Sequence, residues 1–301
     1  MNISVKIGNA KFLNPVTVAS GTFGHSEKYY ALEEVRQLGA LTPKTVTLRA
    51  QEGNPPPRIA ETPSGMLNAI GIENPGVDGF IKFKMPALRK TGLPLIISIL
   101  GHTDNEFKVL AEKFDGVPGV SALELNLSCP NLGKKSLVAQ DPRATRRVVK
   151  LVKQISRYPV IAKLSPNVTD ITAIAAAAQD GGADGVSLVN TFSGMVIDVE
   201  RRVSVLGNIT GGVSGPAIRP IAVHMVYQTA KRIKIPIIAM GGIMTAADAL
   251  QYLIAGATMV AVGTANFINP RAPLDVLEGI KAYMRKKKIK DINKIIGSLV
   301  T

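Results

Sequence analysis

Ser121-Ala122-Leu123-Glu124-Leu125-Asn126-Leu127-Ser128-Cys129-Pro130-Asn131 is an alternating apolar run that stops among small polar residues. Residues 121–125 have the length and alternation of a strand. Pro130 cannot continue one, because it brings no N–H to the ladder, and Asn131, Gly133 and Lys134 are loop residues. Cys129, the only cysteine in 301 residues, therefore caps a strand. A lone thiol is ordinarily a small buried hydrophobe. Flanking Asn, Ser, Pro and Asn offer such a thiol nothing, whereas a proton-transferring thiol needs neighbours that orient a substrate, so Cys129 is the candidate catalytic residue.

The same unit recurs along the chain. Strand-like runs at 16–19, 41–46, 95–99, 122–126, 160–164, 185–189, 235–240 and 258–262 alternate with helix-like runs at 27–38, 78–89, 105–114, 142–155, 170–179, 216–233 and 246–254. Asp, Ser or Thr caps or an early Pro open several helices, and Gly39, Gly92, Gly116, Gly181 and Gly256 fall where C-terminal caps place glycine. Eight βα repeats predict an α/β fold, a TIM (β/α)8 barrel, with residues 1–301 as a single domain. Val5-Lys6-Ile7 and Lys11-Phe12-Leu13, around Gly8-Asn9-Ala10, predict an N-terminal β-hairpin that plugs one end of the barrel. Two stretches break the rhythm, 47–75 and 192–215. Both follow strands, so they are expected as top-face loop insertions, lids or walls over a ligand.

Composition sets outer limits. No apolar run reaches the roughly 18 residues of a membrane span, and the N-terminus lacks the charged and apolar regions of a signal peptide, which predicts a soluble, cytoplasmic protein without membrane contact. One cysteine forms no internal disulfide and ligates no iron–sulfur cluster by itself, and no residues are assigned to a metal. The net charge of +14 raises nucleic acid as a partner. Its distribution argues against it: Arg143, Arg146, Arg147, Lys150 and Lys153 fall on a predicted helix face, Arg285-Lys286-Lys287-Lys288 form a tail, and no aromatic residues interleave to stack bases.

Polar residues stand at the strand ends, where this fold places catalysis: Ser20, Lys44, Ser98, Asn126, Lys163 and Asn190. Lys163, inside the apolar end Ala162-Lys163-Leu164, requires an anionic or polar partner. Gly241-Gly242 and Gly263-Thr264 leave the last two strands as glycine turns, with Gly215 upstream. Backbone amides of such turns cradle phosphate, and glycine is needed because side chains would block close approach.

Over nearly its whole length the chain resembles the dihydroorotate dehydrogenases. The resemblance is carried by Ala19-Ser20-Gly21-Thr22-Phe23-Gly24, Pro43-Lys44-Thr45, Leu67-Asn68-Ala69-Ile70-Gly71-Ile72-Glu73-Asn74-Pro75-Gly76, the stretch 126–131, and Gly207-Asn208-Ile209-Thr210-Gly211-Gly212-Val213-Ser214-Gly215-Pro216, the last resembling the class 1B form. It implies an FMN enzyme of pyrimidine (UMP) biosynthesis that oxidises dihydroorotate to orotate. Cys129 would take the C5 proton while the C6 hydride goes to the flavin. An ordinary thiol, with a pKa of about 8.5, would favour mildly alkaline pH.

The resemblance also implies the ligand sets. FMN is expected on Ser20, Lys44, Thr45, Asn126, Lys163, Val189, Gly215, Gly241, Gly242, Gly263 and Thr264, with Lys163 at the N1/O2 edge. Substrate is expected on Lys44, Asn68, Ala69, Ile70, Gly71, Ile72, Asn126, Asn190 and Thr191, with Asn131 as a further candidate. Planar amides suit a pyrimidine's alternating donors and acceptors. Ser98 departs from the family, standing where an FMN-contacting Asn is usual. Class 1B implies a homodimer joined in a heterotetramer with a subunit carrying FAD and a [2Fe–2S] cluster, which passes electrons to NAD. The chain itself has no nicotinamide fingerprint, since its glycine turns do not open a Rossmann unit. A stand-alone enzyme reoxidised by fumarate or another small acceptor remains open. So do dihydropyrimidine dehydrogenases and tRNA dihydrouridine synthases, which also join an FMN barrel to a cysteine.

Overall fold

The computed structural model describes residues 1–23, 33–128 and 138–300. Cys129, Asn131 and the first residues of the helix expected over 27–38 lie outside them.

Eight strands pair in parallel in the order β3 (Val16–Val18), β16 (Met259–Val262), β15 (Ile237–Ala239), β10 (Gly185–Leu188), β9 (Val160–Lys163), β8 (Val120–Asn126), β7 (Leu95–Leu100) and β4 (Val46–Thr47). The two ends of this row meet. Gly39 donates its N–H to Val16 O at 2.9 Å, and Thr17 Oγ1 donates to Ala40 O at 3.1 Å, so the chain leading to β4 runs along β3 and the sheet curls into a TIM barrel. The strands β7, β9, β10 and β16 are buried at every residue, as near-continuous apolar strands are when helices cover one face and the barrel interior the other.

Local chemistry places the helices. Thr103 caps Asp104–Phe114 by accepting from Glu106 N, Asp141 caps Pro142–Lys153, Asp170 caps Ile171–Asp180, and Thr245 with Asp248 forms a capping box on Ala246–Ala255. On Pro142–Lys153 the residues Ala144, Val148, Val149 and Val152 face inward, while Arg143, Arg146, Arg147 and Lys150 are exposed. The basic run 285–288 is exposed as well.

Several expected boundaries shift, each for a local reason. The strand expected at 41–46 is ladder-bonded only at Val46–Thr47, with an isolated bridge from Leu41 to Leu95, because Pro43 has no N–H to donate. The strand at 235–240 shortens to Ile237–Ala239 behind Pro236. The helix at 78–89 is α over Gly76–Gly79, π over Phe80–Lys84 and α again over Met85–Arg89, widened where Pro86 supplies no N–H to the preceding turn. The helix expected over 216–233 opens as a 3-10 turn at Pro216–Ile218 before Arg219–Arg232. Gly92, Gly116 and Gly256 take positive φ at helix ends, but Gly39 and Gly181 do not; Gly182, at φ +92°, makes the turn after Gly181.

The hairpin β1 (Val5–Ile7) and β2 (Ala10–Phe12) sits at the start of β10, with Ile7 against Gly185 and both Ile7 and Phe12 buried. The two insertions form one structure at the other end. From 47–75 come β5 (Ile59–Thr62) and β6 (Gly65–Asn68); from 192–215 come β11 (Phe192–Gly194) and β14 (Gly211–Ser214); together they make an antiparallel sheet in the order β11, β14, β6, β5. Between β11 and β14 the chain forms a separate hairpin of β12 (Ile197–Asp198) and β13 (Val203–Ser204). Thr264 Oγ1 donates to Ser214 Oγ at 2.8 Å, pinning this sheet to the end of β16.

Candidate active site

A cavity of about 450 Å³ lies where the barrel strands end and the insertion sheet folds over them. That size is within the usual range of small-molecule sites. Ser20 follows β3, Lys44 and Thr45 precede β4, and Asn126 and Lys163 end β8 and β9. Val189, Asn190 and Thr191 follow β10, Gly241 and Gly242 follow β15, Gly263 and Thr264 follow β16, and all of these line the cavity. From the insertions come Asn68, the last residue of β6, and Ile70, Gly71 and Ile72. Ala69 and Gly215 do not line it: Ala69 is buried and gives its N–H to Arg58 O, while Gly215, at φ +97°, packs behind Gly242.

A run of hydroxyls supports the floor. Ser20 Oγ donates to Pro43 O at 2.9 Å and lies 3.0 Å from Thr45 Oγ1, which is 3.0 Å from Ser98 Oγ and accepts from Asn126 Nδ2 at 3.4 Å. Ser98 is fully buried in the middle of β7, not at its end, and is not part of the wall. Its place in the molecule is to hold Thr45.

Two lysines give the cavity its charge. Burial, reinforced by the Lys163 cation, pulls Lys44 down to a pKa of about 8, with Glu73 opposing in part. Lys163 is 5% exposed, and its ammonium lies 3.9 Å from Glu124 Oε1, a carboxylate itself 3% exposed. Ser187 Oγ donates to Glu124 Oε2 at 2.7 Å; because β10 and β8 are separated by β9, that bond crosses the barrel interior. Removing one partner of such a buried pair typically costs about 3–5 kcal/mol, since the other charge is left without compensation. Glu124 was hidden in the sequence because it occupies a polar place in an alternating run, which ordinarily reads as the solvent face of a strand. Glu73, within the 67–76 motif, is also on the wall.

The glycine turns are built for close approach. Gly242 has φ +65°, and a Cβ there would meet Gly215 O at 2.6 Å; Gly241 has φ +132°. The buried Tyr252 donates its hydroxyl to Gly241 O at 2.5 Å. Asp248 accepts from the N–H groups of Met244 and Thr245 and pairs with Arg219 at 2.6 Å, so the turn is fixed from behind.

Opposite these turns, the segment after β6 is held as tightly. Asn54 donates its N–H to Ile70 O and its side-chain amide to Ala69 O. A Cβ on Gly71, at φ +74°, would meet Asn54 N at 2.4 Å. Ile72 has φ +55°, a costly conformation for a β-branched residue, of the kind that collects at ligand sites. Asn74 donates to Ile72 O and accepts from the N–H groups of Thr47 and Gly76, so it shapes the loop and stays off the wall. Asn68 Nδ2 donates to Gly212 O at 3.1 Å, across the pairing of β6 with β14.

A family model described as dihydroorotate dehydrogenase matches residues 2–284. The chain belongs to the dihydroorotate dehydrogenase family. Among dihydroorotate dehydrogenases it is 47% identical over 301 residues to a protein of Geotalea uraniireducens (strain Rf4), covering 100% of this chain and 99% of that one. It is 50% identical over 296 residues to a protein of Desulforudis audaxviator (strain MP104C), covering 98% and 96%. It is 50% identical over 300 residues to a protein of Alkaliphilus metalliredigens (strain QYMF), covering 99% of each. All three relatives carry the name dihydroorotate dehydrogenase B (NAD(+)), catalytic subunit. The dihydroorotate dehydrogenase motifs quoted from the sequence are the ones that converge here: 43–45, 67–76 and 207–216 meet at one cavity although they arise from three separate stretches of chain.

Proposed function

We propose that the chain is a catalytic subunit that oxidises dihydroorotate to orotate with FMN, in the synthesis of pyrimidine nucleotides, and that it works as one unit over 1–301 in the cytoplasm. The observation that carries the proposal is a cavity that joins a buried lysine and a half-buried one, two glycine turns and an amide-bearing wall.

The residues fit FMN. The glycine turns, where a Cβ would intrude, suit a phosphate; Ser20, Thr45, Asn126 and Val189 suit the ring system; and Lys163 brings a cation to an otherwise apolar strand end. Gly215 supports the site from behind the phosphate turn. When bound, FMN supplies acceptance of the hydride from substrate C6.

The chain's own residues do the rest. Asn68, Asn190 and Thr191, with the Ala69-Ile70-Gly71-Ile72 backbone, orient the pyrimidine ring, and Lys44 holds its carboxylate side by charge. The Thr191 N–H already donates to Asn190 Oδ1 at 2.8 Å, which fixes that side chain. Cys129, three residues beyond Asn126 in the sequence, would take the proton from C5, the C5–C6 bond becoming double as C6 gives up its hydride. Lys163 would help to hold the flavin, its ammonium supplying positive charge to the bound ring. Asn131 is a further candidate to hold the substrate.

The relatives' names join a catalytic subunit to NAD(+). For this chain we extend that to a homodimer within a heterotetramer, with a second subunit carrying FAD and a [2Fe–2S] cluster. Purified alone, the chain is expected to carry one FMN, to bleach when mixed with dihydroorotate, and to release orotate; NAD reduction is expected only after the partner is added. A purified chain that binds no flavin, or flavin that dihydroorotate leaves oxidised, would refute the proposal.

A further inference from the structure

Glu124 is the one buried carboxylate among the described residues that lies within ion-pair distance of a lysine on the cavity wall yet stays off the wall itself. Its geometry is asymmetric. Oε2 accepts a short hydrogen bond from Ser187 Oγ at 2.7 Å, while Oε1 has no hydrogen-bond partner and faces the Lys163 ammonium at 3.9 Å, beyond hydrogen-bond length. A carboxylate kept 3% exposed normally has both oxygens satisfied, so an oxygen held just short of a lysine is an unusual arrangement in a well-packed barrel interior.

The register explains how it is built. On β8, Glu124 stands two residues before Asn126, so both side chains take the same face, and Asn126 pairs with Lys163 across to β9. Glu124 thus sits one step deeper in the barrel than Asn126 and Lys163, level with Ile161 on β9 and diagonal to the lysine. Ser187 reaches it from β10 and locks its rotamer. The ammonium stands between two places where negative charge can lie: Glu124 below, and the ligand in the cavity above.

We propose that Glu124 is a positioning residue that tunes the cofactor, by holding Lys163 in place and cancelling part of its positive charge on the side away from the flavin. The inference rests on the placing of FMN in this cavity. With Glu124 ionised, the pair presents less than a full cation to the ring. Replacing it by the isosteric, neutral amide keeps the volume and an acceptor for Ser187, but leaves Lys163 with its whole charge for the flavin. Negative charge arriving on the ring at reduction is then better compensated, and the bound flavin becomes easier to reduce.

Three holoproteins test this: the natural chain, Glu124→Gln and Glu124→Asp, each titrated potentiometrically with the flavin spectrum as readout. Glu124→Gln is expected to keep FMN and to raise its midpoint potential by about 30 mV, a tenfold change for a two-electron couple. Glu124→Asp keeps the charge but draws it back, and is expected to shift in the same direction by less. In a Lys163→Ala background, which by itself should lower the potential, the change Glu124→Gln is expected to have little effect, because Glu124 acts through the lysine. A merely structural carboxylate would alter stability and leave the potential of the bound flavin unmoved. An unchanged or lowered potential in Glu124→Gln with FMN bound overturns the inference, and should that variant fail to fold, Glu124→Asp at the natural potential does the same. Absence of FMN from the natural chain would instead strike at the proposed function on which the inference stands.

Discussion

Lys44 gives the site a pH signature that stability measurements can read. Burial, then the neighbouring Lys163 charge, hold it at about 8 against an ordinary 10.5, so between those values the unfolded chain binds more protons than the folded one. Stability contributed by this group therefore rises as pH climbs from about 8 to 10.5 and is constant below. The whole effect is at most about 3 kcal/mol by proton linkage. Denaturant titrations of the flavin-free chain at pH 8 and pH 10 should show this rise, and Lys44→Met should remove it. An identical pH response in both proteins would mean that Lys44 is more solvated than its place in the wall implies. A bound anion acts in the opposite sense by favouring the charged lysine, so orotate affinity for the holoprotein should weaken as pH rises above 8. At this scale the sequence was informative where a residue breaks the pattern around it: Lys44, Asn126 and Lys163 are polar at the ends of apolar strands. It was silent on Glu124, whose alternation with Leu123 and Leu125 looks like an ordinary half-exposed strand until the barrel closes over it.

Among elements, the insertion sheet carries the substrate wall. Gly212 on β14 stands against Thr191, where an added Cβ would come within 2.0 Å of Oγ1, and its carbonyl holds Asn68. Gly212→Ala should push both proposed substrate ligands out of place while leaving the glycine turns at 241–242 and 263–264 untouched. Steady-state kinetics should show KM for dihydroorotate rising about tenfold or more, equivalent to about 1.4 kcal/mol of lost binding, with FMN content unchanged. Loss of FMN in step with KM would assign this strand to the cofactor instead. The barrel was legible because most βα units announce themselves locally, through apolar strands, Asp and Thr caps and terminal glycines; the helix Ala272–Lys286 after the last strand, which no side chain caps, was not read. The pairing of β14 with β6 was not, because it joins residues about 145 positions apart and β14 is a glycine-rich segment with no strand signature of its own. The proline-shortened edges of β4 and β15 were likewise a matter of ladder hydrogen bonds, which periodicity does not count.

Across the whole molecule, the barrel is covered at one end by the β1–β2 hairpin and at the other holds the cavity, roofed by two insertions that meet. With FMN and substrate placed under this roof as proposed, a separate electron-transfer subunit is the route by which electrons would reach NAD. NAD reduction by the FMN-loaded chain should be negligible alone and restored by its partner; rapid reduction by the homogeneous chain would remove the partner from the mechanism. The central claim is that this chamber uses Cys129 as base against a bound flavin, and anaerobic single-turnover mixing with dihydroorotate tests it most directly. The natural protein should bleach its flavin quickly. Cys129→Ala should retain FMN and bleach at least a hundredfold more slowly, within the usual range for loss of a general base, and Cys129→Ser should keep a remnant displaced toward higher pH. Flavin reduction in Cys129→Ala at the natural rate would contradict the account.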